Sequence, residues 1–385
     1  MSAFFDEFSN ELKRILGNEG ARTTMIVAVL IYAVFYPQPY LKEVVREVPV
    51  VVVDQDHSAT SRELIRRIDA SDGAAVGTLA PDLPDARHVL LAGRASAIVV
   101  IPNDFEREIL AGRPSPVATY GDAGYFLLYR AAVGAVGAAA RSLGAEIAVH
   151  RLNAQGLETA TAQAAVDPMP FTLVPLFNPQ GGYATNVVPT AFVLILQQTL
   201  LMGIGLVGPA PSIREGARQR AHPVVGVTAR ALAYVTLYLP FAVLYLVIMP
   251  YFFQLPRLGA VTDLMTVMVL FLFAASFLGL TLAALMPSGE SVILMLIVLG
   301  LPTFFLSGVS WPQESLPGAL SIVSQCIPAI PAMNGVVRIG QMGASLADVS
   351  SELRTLAMQA GLYALTAFAC HIARDRRQEP GRTAA

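Results

Sequence analysis

Stretches 186–208, 262–286 and 291–309 run with almost no charged residue. Each is long enough to cross a hydrocarbon core as a helix, which needs about 20 apolar residues. Inside lipid every backbone group must find its partner within its own segment, so these runs are predicted to be helices rather than strands. Charged residues make up only 14% of the chain, against about 25% in soluble proteins. The deficit is uneven, because residues 39–160 have the composition of ordinary soluble protein. The expected fold is an α-helical polytopic membrane protein with six transmembrane helices and an α/β external domain inserted between the first and second.

Residues 24–37 form the first apolar run, which reaches spanning length if its helix starts near Gly20. No small-x-small cleavage site follows it, and the next residues include Gln38, Tyr40, Lys42 and Glu43, so it reads as an uncleaved anchor. The first transmembrane helix is set at 19–38. The later spans are expected at 186–208, 225–252, 261–286, 291–308 and 355–373. Ahead of the first span, Phe4, Phe5, Phe8, Leu12 and Ile15 alternate with Asp6, Glu7, Glu11, Lys13 and Arg14. Residues 1–18 are therefore an amphipathic helix, lying along the membrane surface or extending the first span into water.

Positive charge sets the orientation. Stretches 1–22, 209–224 and 374–385 carry Lys13, Arg14, Arg22, Arg214, Arg218, Arg220, Arg374, Arg376, Arg377 and Arg382. The short segments on the other side carry Arg257, Arg338 and Arg354. Both termini are thus expected in the cytoplasm. Cys326 and Cys370 then fall on opposite sides and are not expected to pair.

Region 39–183 reads as the external domain. Strands are expected at 50–53, 76–79, 95–101 and 117–120, and helices at 58–68, 85–91 and 105–110, the last capped by Asn103 or Asp104. Alternation of the two implies helices packed on a sheet. From Tyr125 to about Ala164 the pattern is helical and alanine-rich, about 60 Å long if unbroken. It either links the domain to the membrane, stacks on a second copy, or packs within the domain. Gly134, Gly137 and Gly144 lie inside it and read as packing positions.

Several chemistries are absent from the pattern. There is no G-x-x-x-x-G-K-[ST] stretch, so no P-loop, and no nucleophile motif such as G-x-S-x-G. The five histidines have no zinc spacing. A net charge of −2 leaves no footprint for nucleic acid. Charges within the spans are scarce: Arg230 and Asp263 sit near span ends, where they can snorkel, which argues against a proton relay. Gln197 and Gln198 are the polar pair best centred in a span, either joining helices or lining a translocation path.

Three stretches carry a resemblance. Asp54-Gln-Asp-His-Ser-Ala-Thr-Ser-Arg62 with Ala97-Ile-Val-Val-Ile-Pro102-Asn-Asp-Phe105 resembles the external domain of bacterial type-2 ATP-binding-cassette export permeases. Leu176-Phe-Asn178-Pro179, with Pro189, is similar to that family's approach to its second span. Phe304-Phe-Leu-Ser-Gly308-Val-Ser-Trp311-Pro312, then Pro317, Pro328 and Pro331, resembles its reentrant segment, here 309–335. The resemblance implies a dimeric permease, or a pair with a close paralogue, that meets a separate cytoplasmic ATP-binding subunit. ATP and Mg would sit on that subunit and no cofactor on this chain. The coupling element would be 209–224, with Arg214, Glu215 and Arg218 at the ATPase; the family's second acidic residue and threonine are missing, and Ala217 stands there. An ordinary basic loop is the competing reading of that stretch. For 309–335 the competing reading is an external loop resting on the membrane.

The function so implied is ATP-driven export of an amphiphilic or lipophilic compound. The large external domain favours hand-over to a periplasmic adaptor and outer-membrane channel. A polysaccharide or glycolipid exporter is the alternative within the class, and a receptor or assembly scaffold the alternative outside it.

Overall fold

The computed structural model describes residues 2–40, 44–179, 181–208, 222–309 and 311–378. The chain divides into two units, Met1–Glu43 with Pro175–Ala385, and Val44–Val174. In the first, α1 (Ser2–Gly17) precedes α2 (Glu19–Tyr40), whose second turn widens into a π-helix at Thr23–Val27. Asn18 separates the two helices and caps the second, its Oδ1 accepting from Ala21 N at 2.9 Å.

The unit Val44–Val174 is built on a four-stranded mixed sheet of order β2-β1-β3-β4, with β1 Val48–Asp54, β2 Ala74–Leu79, β3 Ala97–Ile101 and β4 Ala118–Gly121. β1 runs parallel to β2 and β3, and β4 is antiparallel to β3. Helices α3 (Ala59–Asp69), α4 (Leu83–Leu91), α5 (Phe105–Leu110), α6 (Phe126–Ala154) and α7 (Thr159–Val166) complete it. The valine run of β1 is continuous because both faces are covered. Val48, Val50 and Val52 pack with Leu64, Ile68, Phe105 and Val136, whereas Val51 and Val53 pack with Ala86 and Val89 of α4.

The long helix expected from Tyr125 to Ala164 is broken. α6 ends at Ala154, and Gly156 takes φ +92°, a conformation open to glycine at no steric cost, before α7 begins. Of the placements considered for it, packing within the unit is observed: Ala132, Val136, Ala139 and Leu143 lie on the sheet at helical spacing. Within this unit its glycines are not packing positions. A Cβ at Gly134 or Gly144 would meet open space, and one at Gly137 would meet only the Arg141 side chain.

The first unit continues with α8 (Tyr183–Val207), α9 (Pro223–Phe252, with a π turn at Leu244–Ile248), α10 (Val261–Leu285) and α11 (Gly289–Leu306). After these come the short α12 (Gly318–Ser324), α13 (Ala329–Met342) and α14 (Ser350–Gln378). The protein is mostly helical, and seven helices among the described residues are long and apolar enough to cross a membrane. Six coincide with the expected spans; the seventh is α6. Aromatic residues fill the core of this unit: Phe192, Tyr234, Tyr238, Tyr245 and Phe271 are fully buried. Tyr245 Oη donates to Val29 O at 2.7 Å, joining the π turn of α9 to the residues just after the π turn of α2.

Candidate functional site

Arg214, Glu215 and Arg218 lie outside the described residues, but both ends of the stretch that holds them are described. α8 ends at Val207, and His222 caps α9, its Nδ1 accepting from Val224 N at 3.4 Å. The end of α8 is held by α1. Arg14 Nη2 donates to Val207 O and Gly208 O at 2.9 and 3.0 Å, and Asn18 Nδ2 to Leu206 O at 3.2 Å. A cation on the last carbonyls of a helix satisfies orphan acceptors and complements the helix dipole.

Arg14 Nη1 in turn donates to Glu11 Oε2 at 2.6 Å, and Tyr234 Oη of α9 donates to Glu11 Oε1. Glu11 is 2% exposed, so α1 is docked on the bundle by a buried carboxylate. One turn from Tyr234, Arg230 is also buried, where the sequence suggested a snorkelling end residue. Its Nη1 lies 3.3 Å from His371 Nε2 of α14. His371 Nδ1 faces Ala367 O at 2.8 Å, which leaves Nε2 as the acceptor for the guanidinium. Ionisable groups are therefore buried in this unit, contrary to the sequence reading. At the same end a cavity of about 420 Å³ is lined by Gly205, Gly208, Pro287, Ser288 and Arg374 among others.

Gln197 and Gln198 part company in the structure. Gln197 is buried and its Oε1 accepts from Ala329 N at 2.7 Å. Gln198 is half-buried, its Nε2 3.6 Å from where a Cβ on Gly300 of α11 would sit.

The proline-rich stretch folds into short pieces. Gly308 follows α11 at φ +90°, Trp311 is exposed, and Pro312 precedes a single 3-10 turn, Gln313–Ser315. Pro317 and Pro328 stand just ahead of α12 and α13, and Pro331 lies in the first turn of α13, where a missing N–H removes no helical bond. α12 and α13 are bent by 82°. Two bonds fix α13 along α8: Gln197 to Ala329, and Gln341 Nε2 to Thr185 O. The bonded residues are twelve apart on both helices, so the pair is antiparallel over about 18 Å.

Gln313, which no sequence motif marks, ties the stretch together. Its Nε2 donates to Leu306 O and Ser307 O at 3.3 and 3.1 Å, and its Oε1 accepts from Asn334 Nδ2 of α13 at 3.1 Å. Beside it opens a polar cleft of about 490 Å³, lined among others by Asn186, Thr190, Asn334 and the ion pair Arg338–Glu352 at 2.7 Å.

In the sheet unit the sequence motif proves to be a brace. Asp54, at the end of β1, accepts from Asp56 N, His57 N and Ser61 Oγ at 3.1, 3.0 and 2.8 Å. Ser58 caps α3 through Ser61 N. Neither Asn103 nor Asp104 caps α5 by its side chain; Asp104 stands at φ +61°, and Asp56 Oδ2 accepts from Glu106 N at 3.0 Å instead. Glu106 reciprocates by accepting from Thr60 N and Oγ1 at 3.0 and 2.7 Å. Burial works to raise the Asp56 pKa, but hydrogen bonds from Ser58 and from the backbone of Glu106, Phe105 and Asp104 outweigh it and hold the carboxyl below its ordinary 3.8.

A depressed carboxyl stabilises the fold above its unfolded pKa, and the contribution fades as pH falls through the folded value. Taking the protein from pH 7 to pH 3 is therefore expected to destabilise the parent more than Asp56→Asn, which keeps an acceptor and cannot titrate. Thermal melts at both pH values, followed by a probe in this unit, measure it; equal losses would refute the assignment.

No group of His, Cys, Asp and Glu able to hold a metal occurs among the described residues. Compared with known proteins, the chain matches a family model described as "ABC-2 family transporter protein" over residues 22–369. No curated protein matches it.

Proposed function

Given that the chain belongs to the ABC-2 transporter family, we propose that it is the permease subunit of an ATP-driven exporter for an amphiphilic or lipophilic compound. In this reading six of the seven apolar helices span the inner membrane, α6 belongs to an external α/β domain, and both termini are cytoplasmic. ATP and Mg are handled by a separate ATP-binding subunit, a partner type with which permeases of this family generally work. A second permease copy completes the path, and the external domain meets an adaptor and outer-membrane channel.

The observation that carries the reading is the ionic grip of α1 on the residues that flank 209–221. Glu11, Arg14 and Tyr234 join the N-terminal helix to the end of α8 and to α9. A force delivered to the intervening loop would thus reach three helices at once instead of bending one helix end. The grip favours coupling by Arg214, Glu215 and Arg218 over an ordinary basic loop. Gln198 and the polar cleft at Arg338–Glu352 are the candidate contacts for cargo, the cleft taking the polar part of an amphiphile at the outward end.

The test is reconstitution of the chain with its ATPase in proteoliposomes. Arg214→Ala with Glu215→Ala is expected to abolish stimulation of ATP hydrolysis by the permease while leaving membrane insertion intact. Full stimulation by that variant would overturn the coupling assignment.

A further inference from the structure

After Asp167 the next charged residue is Arg214, so the chain leaving α7 enters α8 without any Asp, Glu, Lys or Arg. The first part of this run, Pro-Met-Pro-Phe-Thr-Leu-Val-Pro-Leu-Phe over residues 168–177, forms neither helix nor strand. Its apolar side chains stand in the open: Met169, Phe171, Leu173, Val174 and Leu176 are 67–86% exposed. No backbone N–H of residues 168–177 finds an acceptor among the described residues. A contiguous apolar surface of this kind marks a place of interaction.

The far end of the stretch is tied to the start of α8. Asn178 Nδ2 donates to Gly182 O at 2.8 Å, and its Oδ1 accepts from Gly182 N at 3.0 Å. α8, long and apolar enough to cross a membrane, begins at the next residue, Tyr183. The Tyr183 ring lies 5.8 Å from that of Tyr40, at the end of α2, and Tyr40 lies 5.6 Å from Tyr36. Tyrosines gathered where two apolar helices end mark the boundary between hydrocarbon and water. Leu176 is seven residues from Tyr183, at most about 24 Å of chain from that boundary.

The backbone decides what covers these side chains. Pairing as an added strand with a second copy is opposed by Pro168, Pro170 and Pro175, each of which removes a ladder donor. Hydrocarbon is opposed by the seven N–H groups that remain, which would have no partner there. The headgroup layer meets both conditions, because water reaches the backbone while apolar side chains enter by about 5–10 Å. The absence of charge removes the group that would hold the stretch in bulk water. We propose that residues 168–177 lie in the headgroup layer at the bilayer face where α8 begins, with Met169, Phe171, Leu173, Val174 and Leu176 against the acyl chains. Lipid is thus the partner of this stretch, which acts as an interfacial anchor ahead of α8. That this face is the outward one belongs to the exporter reading; the seating holds at either face.

The experiment uses the full chain in proteoliposomes. Trp311→Phe removes its single tryptophan, and Phe171→Trp then places one indole in the stretch. Lipids brominated at the top of the acyl chain are expected to quench its emission about twofold, and lipids brominated at the bilayer centre to have little effect, as a depth of about 5–10 Å requires. Emission that neither lipid quenches overturns the proposal, a blue-shifted maximum then meaning that protein covers the indole and a red-shifted one that water does. Adding Met169→Ser, Leu173→Ser and Val174→Ser, at exposed positions outside both cores, is expected to restore the emission. Quenching that survives those three changes would mean that the tether to α8 alone holds the stretch near lipid, and would overturn seating by its apolar side chains.

Discussion

Replacing Glu11 by alanine is expected to destabilise the helical unit by about 3 kcal/mol, the scale for breaking a buried ion pair by removing one partner. The loss has two parts. The Tyr234 hydroxyl, fully buried, is left without its acceptor, and Arg14 without its carboxylate. Arg14 is a quarter exposed, so water offsets part of its share. Glu11→Gln keeps an acceptor for Tyr234 and loses only the charge, so melting temperatures should fall in the order parent, Gln, Ala. Combining Glu11→Ala with Tyr234→Phe should cost less than the sum of the single changes, since each removes the other's partner. Additive costs in purified protein would mean that the two side chains do not interact. In the exporter reading the alanine variant also loses permease-stimulated ATP hydrolysis, which links stability of the docked N-terminal helix to coupling.

Gly259→Val is expected to be comparably damaging for a different reason. The loop between α9 and α10 lies against the last turn of α13, with Leu258 N donating to Gly340 O at 2.7 Å. A Cβ on Gly259 would stand 2.2 Å from Ile339 O and 2.6 Å from Ile339 Cγ2. A carbonyl inside a helix cannot rotate aside as a side chain can, so the loop or the helix must move, at a cost of about 3 kcal/mol. Gly259→Ala introduces the same Cβ without the branches and should fall between parent and valine. A valine variant that melts within a degree of the parent would sink the argument.

Much of the fold was legible locally. Apolar runs located α8, α9, α10 and α11 to within a few residues, because a helix long enough to cross a bilayer needs an unbroken apolar stretch whether it faces lipid or the core. The last helix starts at Ser350 rather than near 355 because its first turn is polar and packs through Glu352 on Arg338. Val50–Val53 marked the central strand because both of its faces are buried. What local pattern did not reveal was pairing across long separations, as of Gln197 with Ala329 or Arg230 with His371. Glu11 is an intermediate case. It lies three residues after Phe8 and four before Ile15, on the apolar stripe of α1, so its burial was readable as a carboxylate on the wrong face of an amphipathic helix. The coupling residues Arg214, Glu215 and Arg218 stay where the sequence left them, as expectations.

The bend of 82° between α12 and α13 also bears on how the chain is made. Gln197, which holds Ala329 N, is synthesised long before this segment, but Gln359 Nε2 and Tyr363 Oη, which donate to Gln325 O and Cys326 O, come after it. Until the final helix emerges, the carbonyls of Gln325 and Cys326 have no protein donor, and hydrocarbon supplies none. In the exporter reading the segment therefore does not seat in the order of synthesis; it waits in a wetter place until α14 arrives. A nascent chain ending after Met342 would therefore hold its earlier helices and leave this segment unseated, which makes the last helix the closing step of assembly.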